Sequence, residues 1–288
     1  MINMNIALTG SSGSIGSLLS KDLKKAGHEV LSISSSKSMQ HQNIFSYEEV
    51  ILGKTDIKVD FIIHLASANS TIDAFQIDEE VDLAKKVLKS MDALACKNLI
   101  YFSSIKVYGE YSSGDKLFTE ESLLEPKSPY GEAKRKCENF FIDMASIKNF
   151  RYIILRLPPM IIDNPSSNVG KFFYFIKRGL PIPSFLRGSE NQKSFLTYEN
   201  LFTSLELIFN NSKKINNGIF NLADPTSIST NSLLRKIGGI LGKEPKIIHL
   251  PDFIFKLMMR VNILQSILNR IYGNFNVSSK KFKNTFGL

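Results

Sequence analysis

The sequence is poor in cysteine and has no long apolar run, and both absences narrow the class of protein. Among 288 residues only Cys96 and Cys137 are cysteines, and neither belongs to a Cys-x-x-Cys or Cys/His cluster that could hold zinc. We expect reduced thiols in a cytoplasmic protein and no metal site. Because no stretch of about 18 uninterrupted apolar residues occurs, no stable membrane insertion is expected. The N-terminus also lacks the basic region and cleavage site of a secretory signal peptide.

Acidic residues are outnumbered, and the formal net charge is +9. The cations are scattered in short groups such as Lys24-Lys25 and Lys134-Arg135-Lys136, without interleaved aromatic residues. Nucleic-acid binding requires a clustered basic surface, so no nucleic-acid partner is expected. Hydrophobic residues at 43% and charged residues at 22% are typical of a globular protein with one large domain or two associated ones.

Apolar runs and helical periodicities alternate along the first 157 residues. The pattern predicts strands at 4–9, 29–33, 61–65, 99–103 and 152–157, and helices at 15–26, 81–94 and 129–145. A long loop is expected at 107–128. Such alternation is typical of an α/β fold with a doubly wound parallel sheet, the Rossmann arrangement.

The regular alternation stops at Pro158 and Pro159, where prolines become frequent. One helix is predicted at 169–178 and a late strand at 219–222, and the chain from residue 231 onwards is expected to be mainly helical. The second half therefore predicts a smaller, mainly helical C-terminal domain.

A glycine-rich turn separates the first strand from the first helix, and it reads Thr9-Gly10-Ser11-Ser12-Gly13-Ser14-Ile15-Gly16. Glycine permits a tight turn and lets backbone N–H groups approach a pyrophosphate, which the helix N-terminus attracts. The motif is weak alone, but the strand before it and the helix after it predict dinucleotide binding.

No carboxylate follows the second strand, where one would hold the ribose 2'-hydroxyl of NAD. The strand instead leads into Ser34, Ser35 and Lys37, whose hydroxyls and ammonium could surround a 2'-phosphate. This favours NADP(H) and leaves NAD(H) open, because a serine-rich segment is equally compatible with an ordinary loop.

Tyr130 and Lys134 are the candidate catalytic pair. Residues four apart share one face of a helix. A phenol is a poor acid or base at neutral pH, but a nearby ammonium and a cationic nicotinamide stabilise its phenolate. Tyr130 is thus a candidate proton donor and acceptor, and Lys134 a candidate contact of the nicotinamide ribose.

Ser104 is the third candidate catalytic residue. It lies at the carboxyl end of a predicted central strand, where open parallel sheets place their ligands. Its hydroxyl could donate to a substrate carbonyl while Tyr130 transfers the proton.

Together these motifs resemble the extended short-chain dehydrogenase/reductase (NAD-dependent epimerase/dehydratase) family. The resemblance covers nearly the whole chain and implies an enzyme of nucleotide-sugar metabolism. Bacterial polysaccharide biosynthesis is the process in which it would act. It implies a dinucleotide-binding domain at 1–157 plus about 194–223, and a nucleotide-sugar-binding domain at about 158–193 plus 224–288. It implies further cofactor contacts from Leu65, Ala66, Ser67, Ser103 and Leu157, and substrate contacts from Ser104, Lys106, Tyr130, Pro183 and Lys193. Homodimerisation is a family expectation.

Segments at 178–183, 191–200 and 269–281 resemble bacterial nucleotide-sugar 4-ketoreductases such as UDP-N-acetylquinovosamine dehydrogenases. The first hypothesis is therefore reduction of the C4 carbonyl of a UDP- or dTDP-linked 4-keto-6-deoxy sugar. A nucleotide-sugar 4-epimerase with bound NAD is the alternative, and a non-catalytic dinucleotide-binding protein is the second alternative. At Lys193 relatives often have arginine, so this chain offers the diphosphate a point charge instead of a bidentate contact.

Two further features have structural explanations. His64 is expected to end a buried strand without a proton-transfer role. The basic segment 253–272 has apolar residues near helical spacing, and packing of the substrate domain is favoured over membrane-surface association.

Overall fold

The computed structural model describes residues 3–34, 44–55, 57–66, 76–112, 116–185, 190–212 and 216–287. A seven-stranded, entirely parallel sheet forms its centre, with strand order β11-β7-β5-β4-β1-β2-β3. These strands are β1 (Asn5–Thr9), β2 (Glu29–Ser34), β3 (Ile44–Ser46), β4 (Phe61–His64), β5 (Asn98–Ser104), β7 (Arg151–Leu157) and β11 (Gly218–Asn221). The predicted doubly wound sheet is confirmed.

Helices cover both faces of the sheet and continue into the C-terminal part. They are α1 (Ser14–Lys25), α2 (Tyr47–Ile51), α3 (Ile77–Ala93), α4 (Pro129–Lys148), α5 (Asn168–Lys177), α6 (Tyr198–Asn210), α7 (Thr230–Leu241), α8 (Asp252–Met258), α9 (Asn262–Tyr272) and α10 (Lys280–Phe286), with a 3₁₀ helix at Ile105–Tyr108. Three parallel pairs of short strands lie outside the main sheet: β6 (Leu117–Phe118) with β13 (Asn276–Val277), β8 (Met160–Ile161) with β10 (Leu196–Thr197), and β9 (Ile182–Ser184) with β12 (Ile247–His249).

Two apolar cores lie on opposite faces of the sheet. On one face α1, α6 and α10 bury side chains such as Leu23, Leu205 and Phe282 against the strands. On the other face α3 and α4 bury Val87 and Phe141. The strands are consequently apolar on both faces, as parallel strands between two helical layers must be.

Separate apolar clusters hold the C-terminal part together. One joins α5 to α7 through Phe173, Leu233 and Ile237, and another joins α8 to α9 through Phe255 and Leu268. The proposed division into a dinucleotide-binding and a sugar-binding domain stays a prediction.

Several elements were not predicted, among them β3, α2, α6 and β6. The strand β3 and the helix α2 have only three and five residues, too few to show a period. The sequence did contain a start signal for α2, because Ser46 and Glu49 form a reciprocal capping box. The helix α6 buries Leu201, Leu205 and Ile208 at helical spacing, so the sequence did carry a signal for it. The predicted loop at 107–128 contains β6.

No helix in the described part of the chain combines the length and apolar character needed to cross a bilayer.

Gly16 lets α1 begin directly against the glycine-rich turn. A Cβ atom added at Gly16 would lie 2.1 Å from the carbonyl oxygen of Gly10 and 2.9 Å from the Cα of Ser11. Both neighbours are backbone atoms that no side-chain rotation can move. The start of the helix therefore depends on the missing side chain.

We predict that Gly16→Ala lowers the free energy of unfolding by about 1–3 kcal/mol, the usual cost of overpacking. Gly239→Ala in α7 is the matched control, because its added methyl meets nothing within 4 Å. Alanine should there stabilise the helix by about 0.5–1 kcal/mol. Urea unfolding measures both changes, and equal stability of the two variants would contradict this account.

Candidate active site

A cleft of about 520 Å³ opens at the carboxyl ends of the central strands. Its lining comes from the glycine-rich turn, from the ends of β5 and β7, from the start of α4 and from segments of the C-terminal part. This is the position at which doubly wound sheets bind ligands.

Ser104 ends β5 and begins the 3₁₀ helix that follows. Its Oγ accepts a hydrogen bond from the backbone N–H of Lys106 at 3.3 Å, as an N-cap residue does. Only 8% of the residue is exposed. Ser104 is thereby fixed at the cleft wall, and its hydroxyl proton stays available for a ligand.

Tyr130 and Lys134 reach the same cleft from the first turns of α4. The helix starts with Ser128, whose Oγ accepts from the N–H of Gly131, and with Pro129 in its first turn. The Nζ of the buried Lys134 donates to the carbonyl oxygen of Phe102 at 3.1 Å and lies 5.7 Å from the centre of the Tyr130 ring. Strand β5 thus holds the ammonium beside the phenol.

Gly131 sets how closely α4 approaches the 3₁₀ helix. A Cβ atom built at Gly131 would lie 2.5 Å from the carbonyl oxygen of Lys106. Lys106 follows Ser104 by two residues, so this contact brings the start of α4 against the segment that carries the serine. The Lys106 ammonium also lies 5.9 Å from the centre of the Tyr130 ring.

A buried ion pair lies beneath the cleft. Arg156 in β7 donates to Glu138 in α4 at 2.6 Å, and both side chains are at most 2% exposed. Ser103 donates to the same carboxylate at 2.5 Å, and Arg156 also donates to the Tyr108 hydroxyl at 2.9 Å. Burial alone would lower the pKa of Arg156, but Glu138 holds it above its ordinary value. The network extends to β11, because the Tyr108 hydroxyl donates to Asn221 at 2.8 Å.

The glycine-rich turn suits a dinucleotide pyrophosphate. Gly13 is the N-cap of α1, where no side-chain hydrogen bond occupies the helix start, and the first turn contains no acidic residue. The backbone N–H groups and the positive end of the helix dipole therefore face the cleft without a competing carboxylate.

His64 lies in the core at the end of β4, 1% exposed. Its Nδ1 shares a 2.7 Å hydrogen bond with Thr9 Oγ1, which also accepts from the N–H of Ala66. Burial, followed by the charge of Lys134, lowers the pKa of His64 to about 3. The imidazole is consequently neutral and braces β4 against β1.

The far wall of the cleft is basic. Lys193 is half-buried and donates to the carbonyl oxygen of Arg270, while Glu110 pairs with Lys106 at 3.2 Å and with Arg270 at 3.5 Å. Desolvation lowers the pKa of Lys193 to about 8, with Glu110 opposing the change and Lys106 adding to it. The backbone of Lys193 is fixed by two hydrogen bonds to Ile228.

The structure brings most of the predicted site residues together. Those that line the cleft are Gly10, Ser12, Gly13, Ser14, Ile15, Gly16, Leu65, Ser103, Ser104, Lys106, Tyr130, Lys134, Leu157 and Lys193.

Four predicted site residues lie outside that lining. Thr9 is buried and binds His64, and Ala66 follows β4. Ser34 ends β2, and Pro183 lies in β9, where its carbonyl accepts from Tyr272. Ser35, Lys37 and Ser67 fall outside the described residues.

The residues that sequence reasoning missed fall into two groups. Glu138 lies four residues after Lys134 on the same helical face, and Arg156 interrupts an apolar strand. A charged residue on a buried surface needs an oppositely charged partner, so both positions indicated a buried ion pair. Glu110 and Arg270 had none, because no local pattern relates two residues so distant in sequence.

Both the sequence and the structure are similar to those of known proteins. A family model described as the NAD dependent epimerase/dehydratase family matches residues 6–223. The UDP-glucose 4-epimerase of Vibrio cholerae is 24% identical over 98% of this chain and 90% of its own length. The structure resembles UDP-N-acetylglucosamine 4-epimerase from Bacillus cereus, with a TM-score of 0.76 at 18% identity over 99% of this chain and 92% of that one. It also resembles UDP-glucuronic acid 4-epimerase from Bacillus cereus in complex with NAD, with a TM-score of 0.73 at 17% identity over 98% and 90% of the two chains.

We predict that breaking the buried ion pair on either side lowers the free energy of unfolding by about 3–5 kcal/mol, because an uncompensated charge stays buried. The variants are Glu138→Gln and Arg156→Met, measured by urea unfolding. The double variant should lose less than the sum of the two. Asp82→Asn, which removes the exposed pair with Lys85 at 2.8 Å, is the control and should cost less than about 1 kcal/mol. A loss of similar size in all three single variants would contradict the prediction.

Proposed function

This chain belongs to the NAD dependent epimerase/dehydratase family, and from that membership we propose that it is a nucleotide-diphosphate-sugar 4-epimerase. It is an enzyme of the short-chain dehydrogenase/reductase type that uses a nicotinamide dinucleotide. One observation carries the proposal: a single cleft joins Ser104, Tyr130 and Lys134 to a dinucleotide-type glycine turn on one side and to Lys193 and Arg270 on the other.

The chemistry at the sugar is proton transfer at the C4 oxygen. A bound nicotinamide dinucleotide supplies the hydride acceptor and donor. Tyr130 takes the proton of the 4-hydroxyl and later returns it, while Lys134 stabilises the phenolate by its charge. Ser104 donates its hydroxyl proton to the same oxygen and so fixes the sugar against the phenol.

The far, basic wall of the cleft is proposed to hold the diphosphate of the nucleotide sugar. Lys193 and Arg270 both line the cleft and supply positive charge. They come from residues 158–193 and 224–288, which we propose as the sugar-binding domain. Glu110 pairs with Arg270 and Lys106 and so limits the net charge of this wall.

For this reaction we propose NAD(H) as the cofactor, in line with the NAD bound by the UDP-glucuronic acid 4-epimerase that the structure resembles. The preference for NADP(H) expected from the sequence depends on Ser34, Ser35 and Lys37. Of these only Ser34 lies within the described residues, at the end of β2.

Reduction of a nucleotide-linked 4-keto-6-deoxy sugar is the second candidate function. It would use the same three residues for a single hydride and proton transfer. The observation that favours it is the pair of sequence segments that supply the far wall. Lys193 and Arg270 lie in the segments 191–200 and 269–281, which resemble the 4-ketoreductases.

The decisive test is to purify the enzyme, quantify the dinucleotide that it retains and supply UDP-glucose or UDP-N-acetylglucosamine. We expect the C4 epimer to form without added cofactor and without net change in absorbance of the reduced nicotinamide. Tyr130→Phe should lower turnover by about 10²–10⁴-fold, the usual contribution of a general acid or base, and should keep the dinucleotide. Ser122→Ala, outside the cleft, is the control.

Two outcomes would contradict the proposal. Stoichiometric oxidation of NADPH with a UDP-4-keto-6-deoxy-hexosamine, without epimerisation of the UDP sugars, would establish the reductase instead. Full activity of the Tyr130→Phe variant would remove the proton-transfer role from this residue.

We further predict that the affinity for UDP falls as the pH rises through about 8, because Lys193 loses its charge there while a typical lysine stays charged. Calorimetric titration of UDP across this range measures the effect. Lys193→Arg should abolish this part of the pH dependence, because guanidinium stays protonated, and Lys193→Gln should bind weakly throughout. An unchanged pH profile in Lys193→Arg would show that another group titrates.

A further inference from the structure

We propose that the outer face of α8 and α9 docks onto an anionic membrane surface. The observation is an apolar ridge, by which we mean the exposed side chains Phe253, Leu257, Val261, Ile263 and Ile267. Their exposed fractions are 69%, 62%, 50%, 75% and 47%. Phe253 and Leu257 are four residues apart in α8, and Ile263 and Ile267 are four apart in α9, so each helix presents an exposed apolar pair on one face. Single exposed apolar residues are normal on a protein surface, whereas such pairs on two successive helices indicate an interaction site.

The ridge is not a failure of packing, because the same helices also have a well-buried inner face. Phe255, Leu268 and Tyr272 are each at most 8% exposed and pack with Phe185 into one cluster. The Tyr272 hydroxyl donates to the carbonyl oxygen of Pro183 at 3.0 Å. The packing expected for this segment and an exposed apolar face therefore occur together, on opposite sides of the helices.

Basic residues flank the ridge. Lys256 and Arg260 lie three residues after Phe253 and Leu257 respectively, so each cation is beside an apolar member of the ridge. Within the described part of the chain neither cation forms an ion pair, although Asp252 lies one helical turn before Lys256. An apolar face bordered by unneutralised cations is the pattern of helices that lie in the interface of an anionic bilayer.

The same charges argue against a second copy of this chain as the partner. A two-fold symmetric contact through the ridge would bring Lys256 and Arg260 of both copies into one interface, and segment 251–272 offers only Asp252 to offset them. Anionic lipid headgroups instead complement them. With seven and eleven residues, α8 and α9 are too short to span the bilayer core, so the contact is superficial.

A single tryptophan can report the contact, because the natural sequence contains none. The variant Phe253→Trp should show a blue-shifted emission on mixing with vesicles of phosphatidylcholine and phosphatidylglycerol, and no shift with phosphatidylcholine alone. Leu52→Trp is the matched control, since Leu52 is 73% exposed in the dinucleotide-binding part, and its emission should stay unchanged.

Cosedimentation with the same vesicles tests the apolar residues and the basic residues of this surface separately. Phe253→Ser with Leu257→Ser should weaken binding on the order of tenfold or more, and Lys256→Gln with Arg260→Gln by a similar factor. The control for the apolar variant is Leu52→Ser with Ile147→Ser, and the control for the basic variant is Lys24→Gln with Lys89→Gln. These four residues are exposed and lie outside the ridge. All these positions are exposed, and unchanged thermal unfolding will verify that each variant folds.

Equal binding to both vesicle types, or no binding to either, would overturn the proposal. A concentration-dependent dimer that Phe253→Ser with Leu257→Ser dissociates, in the absence of vesicle binding, would assign the ridge to self-association instead. Loss of vesicle binding in the control variants would also overturn it, because the contact would then be unspecific.

Discussion

The ion pair between Glu138 and Arg156 is the interaction on which the candidate site depends most. It joins α4, which carries Tyr130 and Lys134, to the strand β7, which lies between the edge strand β11 and β5. Through Ser103 it also reaches β5, one residue before Ser104, and through Tyr108 it reaches the 3₁₀ helix and β11. A buried charge pair tolerates little displacement, since its attraction must offset the desolvation of both groups. The three candidate catalytic residues are therefore anchored to one rigid polar network and not to surface loops.

The sequence was most informative where function depends on neighbouring residues. The glycine turn at 10–16 and the spacing of Tyr130 and Lys134 identified two parts of the cleft, because backbone geometry and helix periodicity act over a few residues. The far wall could not be derived in this way. Lys193 was expected from resemblance alone, and its contact with Arg270 depends on how the C-terminal part packs. Short elements such as α2 were missed because five residues cannot show a helical period.

The two walls of the cleft have different physical characters. The wall at the carboxyl ends of the strands is built from buried backbone and a buried hydrogen-bond network, and it is suited to holding reacting atoms in fixed positions. The far wall is built from long cationic side chains supported by α9, which also carries part of the apolar ridge. The two walls also share packing, because Ile105, next to Ser104, and Phe275, which follows α9, line the cleft and belong to one apolar cluster.

Gly131 determines how closely α4 can pack against the 3₁₀ helix. The start of α4 rests on the carbonyl oxygen of Lys106, and no atom fills the space that a Cβ would require. The approach of α4, which carries Tyr130, to the segment after Ser104 is thereby limited by backbone atoms alone. A larger cleft would accordingly require a change in the far wall, because α4 already packs against the Lys106 backbone without an intervening side chain.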